Sequence, residues 1–268
     1  SLSITNALNI ESDNDEVIFI DYESYRLNLS YQYGINQNWN VKLDIPLLHQ
    51  GGGLFDSAID SWHEFWQLPR ANRPFVEDNQ YGIQYTYQEQ ALINQNESAT
   101  SLADIQIALS RSLILDERTN LSLWGSIKLP TGDEDKLSGS GATDFSAWLA
   151  LNQELSEDWL INLNLGAVFL GKDDYQGIVL SESAMYGHIM LGWRANDVLN
   201  LKAQLQAHTS YYEDSGLIIL GDTYLLTVGG SIKTSQCNQL DLALSEDIKV
   251  DTSPDFSFLI SWRHTTGC

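Results

Sequence analysis

LNLKAQLQAHTSY, residues 199–211, decides the fold class. Leu199, Leu201, Ala203, Leu205, Ala207 and Tyr211 fall on one face of an extended chain; Lys202, Gln204, Gln206, His208 and Ser210 fall on the other. Successive side chains of a strand point to opposite sides, so this pattern predicts a strand with one apolar and one polar face. The same period of two recurs in both directions. In 25–33, Tyr25, Leu27, Leu29, Tyr31 and Tyr33 oppose Arg26, Asn28, Ser30 and Gln32. In 39–47, Trp39, Val41, Leu43, Ile45 and Leu47 oppose Asn40, Lys42 and Asp44. Segments 121–129 and 256–262 repeat it with Leu121, Leu123, Ile127 and Leu129, and with Phe256, Phe258, Ile260 and Trp262.

The breaks between these segments come in two sizes that alternate. INQN (35–38), LDERTN (115–120), LSEDW (155–159), RANDV (194–198) and KTSQC (233–237) are short and polar. Segments 49–102, 129–142 and 171–182 are long, with shorter acidic breaks near 11–15, 211–217 and 249–254. Tight periplasmic turns alternating with longer outer loops mark an outer-membrane barrel, and about twelve strands gives the even number that closure expects. Segment 79–91 also alternates; counted as a wall strand it would spoil that parity, so it is assigned to an outer-side hairpin or strand extension.

Charge and aromatic placement agree with this layout. The net charge is −22, which argues against nucleic acid, whose phosphates need basic patches. The long-break windows, with 11–24 included, hold 23 of the 36 acidic residues and 5 of the 14 basic ones, so the acid gathers at one end. Tyr31, Tyr33, Trp39, Trp159 and Trp193 lie beside short turns, as an interfacial girdle requires. Cys237 in a short turn and Cys268 after the last strand fall on the same, periplasmic side, where a disulfide persists. Mean hydropathy is −0.21 and no run reaches 18 apolar residues, which excludes a transmembrane helix but not barrel strands of about 9–11 residues. The chain starts on an alternating strand, SLSITNALNI, and reads as a mature form without its signal peptide.

A soluble sandwich or lipocalin-like barrel also alternates. About twelve strands with every apolar face inward would enclose a very wide core, since diameter grows with strand number. The charged faces therefore point inward. The reading is an all-β fold: one single-chain antiparallel transmembrane β-barrel over 1–268, with an amphipathic helix near 54–67 in the long extracellular loop 49–102.

IDYESYRLNLSYQYG (20–34), GGGLFDSAIDSWHEFWQLPRANR (51–73) and LPTGDEDKLSGSGATDFSAWLAL (129–151) together resemble a family of Gram-negative outer-membrane proteins known as a domain of unknown function. The resemblance covers most of the chain, and residues 52–63 are its most specific block. LPTGD is also similar to a motif of outer-membrane proteins linked to uptake of aromatic compounds. The resemblance implies a barrel and an outer-membrane location, and no established activity. One departure is the end: such barrels finish on a terminal aromatic, whereas here RHTTGC follows Trp262.

Arg26, Lys42, Asp44, Lys128, Lys202, His208, Asp241 and Arg263 are the expected lumen-lining residues. They either form a selective polar pathway or pair across the barrel and fill it. His208 and Ser210, two apart, share a face, as a base and nucleophile of an outer-leaflet lipid hydrolase would. That face is the inward one, and no acid on the strand orients the histidine, so two polar rim residues is the preferred reading. His63 and His188 are too scattered to suggest a metal site. No cofactor is expected; the acidic loops GDEDK (132–136) and GKDDY (171–175) offer ligands for Ca²⁺ or Mg²⁺, but neither has the spacing of an EF-hand, and a solvated rim is preferred. The glycines of GGG (51–53) and SGSGA (138–142) are read as loop flexibility.

The helix near 54–67 carries Leu54, Ala58, Trp62 and Phe65 on one face, with Ile59 and Trp66 beside it and Asp56, Asp60 and Glu64 on another. Three berths suit it: a lid over the barrel mouth, which is preferred, an anchor at the outer-leaflet interface, or a docking face for a partner protein. Outer-membrane lipid and lipopolysaccharide are the expected surroundings. The expected function is a narrow or gated channel for small solutes; the alternatives are a structural or docking barrel with a plugged lumen, or an enzyme acting on outer-leaflet lipid.

Overall fold

In the computed structural model the alternating segments become a tube. Residues 1–66, 76–213, 215–248, 252 and 256–268 are described, with backbone alone for Ala58, Trp62, His63 and Trp66. In chain order the elements are β1 (Leu2–Asp13), β2 (Glu16–Gly34), β3 (Trp39–Gly51), α1 (Asp56–Trp66), β4 (Gly82–Tyr87), β5 (Gln90–Gln95), β6 (Ala99–Leu102), β7 (Ile105–Leu115), β8 (Thr119–Leu129), β9 (Asp144–Glu154) and β10 (Trp159–Phe169). A two-residue pair, β11 (Asp174–Tyr175) and β12 (Ile178–Val179), follows. The rest are β13 (Ser183–Arg194), β14 (Leu199–His208), β15 (Thr223–Lys233), β16 (Asn238–Asp247) and β17 (Phe256–His264).

Twelve of these form the wall, in the order β1-β2-β3-β7-β8-β9-β10-β13-β14-β15-β16-β17, and β17 pairs back onto β1. Every wall pairing is antiparallel. The closing seam is short: Leu2↔Ile260 through Asn6↔Phe256, five residue pairs. The chain start is fastened there, the Ser1 ammonium donating to the Asn28 carbonyl at 2.8 Å and the Asn28 N–H donating back at 2.8 Å.

The register puts each apolar set on the outside. Leu27↔Leu47, Leu29↔Ile45 and Tyr31↔Leu43 share the outward face, and Tyr31 is 65% exposed. Leu165, Ile189, Leu205 and Leu226 continue the belt around the far side. A closed tube with large apolar side chains outward and ions within needs hydrocarbon around it. No helix is long and apolar enough to cross a membrane; the strands do the crossing.

The five short turns share one device. A side-chain oxygen at their start accepts N–H groups two and three residues on: Asn36 from Asn38 and Trp39, Asp116 from Arg118 and Thr119, Ser156 from Asp158 and Trp159, and Asn196 from Val198 and Leu199. In the fifth, the Ser235 hydroxyl accepts from Cys237 N–H at 3.3 Å and from the Asn238 amide. Side-chain mimicry of a backbone turn explains why each break carries Asn, Asp or Ser as its second or third residue. Cys237 and Cys268 are joined in a disulfide at this end, with Cα atoms 5.5 Å apart.

The opposite end is built up. The β4–β5 hairpin extends the sheet beyond the tube by pairing with the upper half of β2, Ile20↔Ile83 and Ile18↔Tyr85, and β6 pairs with the top of β3. Segment 79–91 is thus a strand extension that leaves the wall count even.

Candidate functional site

Following the alternation inward from Arg26 places Arg26, Lys42, Asp44, Lys128, Lys202, His208, Asp241 and Arg263 on the lumen side of their strands. They do not form one ring. Arg26, Lys42, Asp44 and Lys128 share a chamber of about 450 Å³ toward the long-loop end. Lys202 and Asp241 pair at 3.0 Å on the opposite wall, with Arg263 Nη2 4.0 Å from the same carboxylate. Ser231 and Gln239 also donate to Asp241.

Two carboxylates that the sequence reading passed over complete the chamber. Lys128 Nζ lies 3.0 Å from Asp104 Oδ2 and 2.5 Å from Asp144 Oδ2, and Lys42 pairs with Asp44 at 2.8 Å. Three cations therefore face three carboxylates, and the girdle is formally neutral. Asp104 organises it. Its carboxylate accepts N–H bonds from Gly132 and Ser140, both at 2.9 Å, so the LPTGD loop and the SGSGA loop wrap one buried acid. Burial pushes the Asp104 carboxyl up, but the Ser140 and Gly132 N–H groups and Lys128 outweigh it and hold the group below the ordinary carboxylate range. The LPTGD motif was the available signal for this residue.

Below the chamber, Ser126 faces Ser146 and then Trp124 stacks on Trp148 at 5.5 Å and 7°. These indoles are inside the tube, where the alternation puts them. Lower still, Asn152, Asn162, Asn164 and His188 form a hydrogen-bonded patch.

Above the chamber the lumen becomes apolar. A cavity of about 590 Å³ is bounded by Ile18, Ile83 and Tyr85 on one side and Ile178, Tyr211 and Leu220 on another, and it shares Lys128, Ser138, Asp144 and Val168 with the chamber below. Its roof is the 209–222 loop, which reaches the inward face of β1–β2. Glu11 accepts from Ile218 and Ile219, and Glu16 accepts from Gly216 and Ser215 and from the Tyr85 hydroxyl. Leu217, 2% exposed, seats in an apolar cluster with Ile18, Ile83, Tyr85, Ile93 and Ile178. Burial pushes the Tyr175, Tyr211 and Tyr212 phenols above their ordinary range, so they stay protonated donors.

The lid is therefore the 209–222 loop, and α1 lies elsewhere. Asn6 and Glu23 are an outward-facing cross-strand pair. Glu23, fully buried, accepts from the Leu54 and Phe55 N–H groups just ahead of α1, and Asn6 donates to Asp56 Oδ1 at 2.8 Å. The helix thus packs on the outside of the wall, through Asp56 and Ile59, while Leu54 and Phe65 of the expected apolar face are 78% and 75% exposed. The Ala58, Trp62 and Trp66 side chains fall outside the described residues. The physical reason is the buried carboxylate: N–H groups at a helix start seek an anion, and Glu23 supplies one on the outer face. GGG is not slack in the chain. Gly53 has φ +71°, and a Cβ there would sit 2.3 Å from the Glu23 Cβ; one on Gly52 would sit 2.0 Å from the Asn79 carbonyl. Only glycine fits where the loop crosses Glu23.

No hydrogen bond joins His208 to Ser210; the His208 Nδ1 lies 3.0 Å from the Thr209 carbonyl. β14 ends at His208, so the shared-face geometry stops there, and the Ser210 hydroxyl donates to the Tyr212 and Leu220 carbonyls inside the lid loop. Two acids of the 129–142 loop pair with lysines, Asp133 with Lys136 at 2.9 Å and Glu134 with Lys172 of the 171–182 loop. Among the described residues no three His, Cys, Asp or Glu side chains converge as a metal set.

Residues 2–266 match the family model described as "Protein of unknown function (DUF3187)". No curated protein matches the chain in sequence. Among solved structures, the COG4313 outer membrane channel from Pseudomonas putida F1 superposes with a TM-score of 0.62 at 13% identity, covering 98% of this chain and 93% of that one. The NanC porin gives 0.54 at 9% identity, covering 99% and 100%, and the KdgM porin 0.51 at 8%, covering 98% of each. At these identities the likeness is one of fold: a closed twelve-strand outer-membrane β-barrel.

Proposed function

This chain belongs to the DUF3187 family, and we propose that it is a narrow, gated channel for small solutes in the bacterial outer membrane, with its long loops outside the cell. The observation that carries this reading is continuity. The apolar vestibule and the ionic chamber share Lys128, Ser138, Asp144 and Val168 as lining, so the two cavities adjoin inside the tube. The fold it shares with the COG4313 channel and the NanC and KdgM porins supports the same class.

The lining indicates what passes. A vestibule of isoleucine, leucine and protonated tyrosine desolvates an apolar body and offers hydroxyl donors to a polar end. The neutral girdle beneath gives no net field to gather either ion sign. The best match is a small, uncharged solute with an apolar body. The 209–222 loop is the gate: a handful of hydrogen bonds donated by the loop to Glu11 and Glu16, with Leu217 as the apolar latch, hold it across the mouth.

That roof also favours a second reading, a structural barrel whose mouth stays shut. Liposome swelling with uncharged solutes of graded size separates the two. A channel gives solute entry that falls with size and rises when Leu217→Ser loosens the latch. A folded barrel that admits none of the solutes, with or without that substitution, overturns the channel.

A further inference from the structure

A third cavity opens on the outside of the wall, away from the lumen. It encloses about 310 Å³ between Ile4, Leu244, Phe256 and Phe258 of the barrel and Phe55 and Ile59 of the α1 segment, with Asn6 and Glu23 at its edge. The wall residues are outward neighbours in register: Ile4↔Phe258, Leu244↔Phe258 and Asn6↔Phe256. Its height is also fixed. One outward step above Ile4 is Asn6, one above Tyr25 is Glu23, and one above Leu244 is Glu246, so the groove occupies the top of the apolar belt just under its polar border.

The far side of the groove is firmly built. Glu23 fastens the Leu54 and Phe55 N–H groups, Asn6 fastens Asp56, and Gly53 permits the close crossing. Ile59 is buried at 5% exposure, while Leu54 and Phe65 are exposed. A helix lying along a membrane border with apolar side chains outward sits among lipid.

We propose that this groove is a binding site for one acyl chain of an outer-leaflet lipid, with α1 as its collar. The lining argues for a chain. Six apolar side chains make a cavity that disfavours water, and among the described residues the lining holds no cation for a phosphate. Its mouth faces the medium that supplies hydrocarbon. The site depends on the barrel being in the outer membrane and not on whether its lumen conducts.

The test is native mass spectrometry of the full-length barrel extracted from outer membranes and released from detergent micelles. One lipid stays bound per wild-type barrel after detergent exchange has removed the surrounding lipid. Ile59→Trp and Leu244→Trp, which fill the groove from its two sides, each lower that occupancy at least about tenfold, or about 1.4 kcal/mol of affinity. Leu205→Trp, on the opposite lipid-facing wall, leaves it unchanged, and the heat-modifiable mobility of a folded barrel is kept in all three. A barrel that retains no lipid, retains it equally in the filled variants, or instead retains a bound protein overturns the proposal.

Discussion

Replacing Lys128 with Met turns the neutral girdle into an anionic one. Arg26, Lys42 and Lys128 now balance Asp44, Asp104 and Asp144 in a chamber of about 450 Å³. A sphere of that volume has a radius of about 5 Å, which sets the distance between a passing ion and the uncompensated charge. At that distance one unit charge acts on a monovalent ion with about 0.8 kcal/mol even at the dielectric constant of water. The cation gains this and the anion loses it, so their permeability ratio moves by about 1.7 kcal/mol, or roughly fifteenfold. Screening does not erase the effect, because the Debye length at 0.1 M salt is about 10 Å. The assay is the reversal potential across a planar bilayer under a KCl gradient, with Lys128→Arg as the charge-preserving control. The wild type should discriminate weakly and Lys128→Met should become cation-selective. A reversal potential that does not move, or moves toward anions, in a folded variant refutes the assignment of this chamber to the conduction path.

Trp148→Ala removes one partner of the luminal indole stack and should raise single-channel conductance while costing about 0.5–1.5 kcal/mol beyond lost burial; an unchanged conductance would place the stack off the pathway. Gly53→Ala forces a side chain into a φ +71° site against Glu23, so the 51–66 segment should lose about 1–2 kcal/mol of local stability and become more sensitive to protease, with the barrel intact. Cys237→Ser opens a link across a separation of 31 residues and should lower unfolding stability by about 3–4 kcal/mol, read as a shift of the urea midpoint. Acid should loosen the 130–142 loop. The Asp104 carboxyl is depressed in the native state, so its contribution is complete above the ordinary aspartate pKa of about 3.9 and is lost as pH falls below that through the native value. Limited proteolysis between pH 7 and pH 3 checks this, and Asp104→Asn should remove that part of the acid dependence.

The wall was legible because it obeys one rule repeated twelve times. A strand such as 199–208 fixes its own faces, and the two sizes of break fix its direction. The inward charges followed from the same rule. What stayed hidden depends on contacts between distant segments. Asp104 is a lone acid between the short β6 and the wall strand β7 until the loop at 132–140 closes over it. Trp124 and Trp148 sat on the inward face all along, but aromatic residues in a barrel sequence suggest the girdle first. Of the three berths that suit α1, the preferred lid fails because an amphipathic face need not be the face that packs. The bond that positions the helix is made by Glu23, 31 residues before Leu54, and an acid buried beneath three glycines has no periodicity to announce it. The lid was missed because 211–217 is short and acidic, and its grip comes from Leu217 and from backbone N–H groups.

The tube is joined to itself by the shortest of its wall pairings, five residue pairs against six between β3 and β7 and eight or more elsewhere. Five residue pairs separate a closed cylinder from a curled sheet with two bare edges, and the staple between Cys237 and Cys268 keeps the final strand anchored to the one before it. Closure is therefore the natural last event of assembly and the first place where the cylinder would part under load.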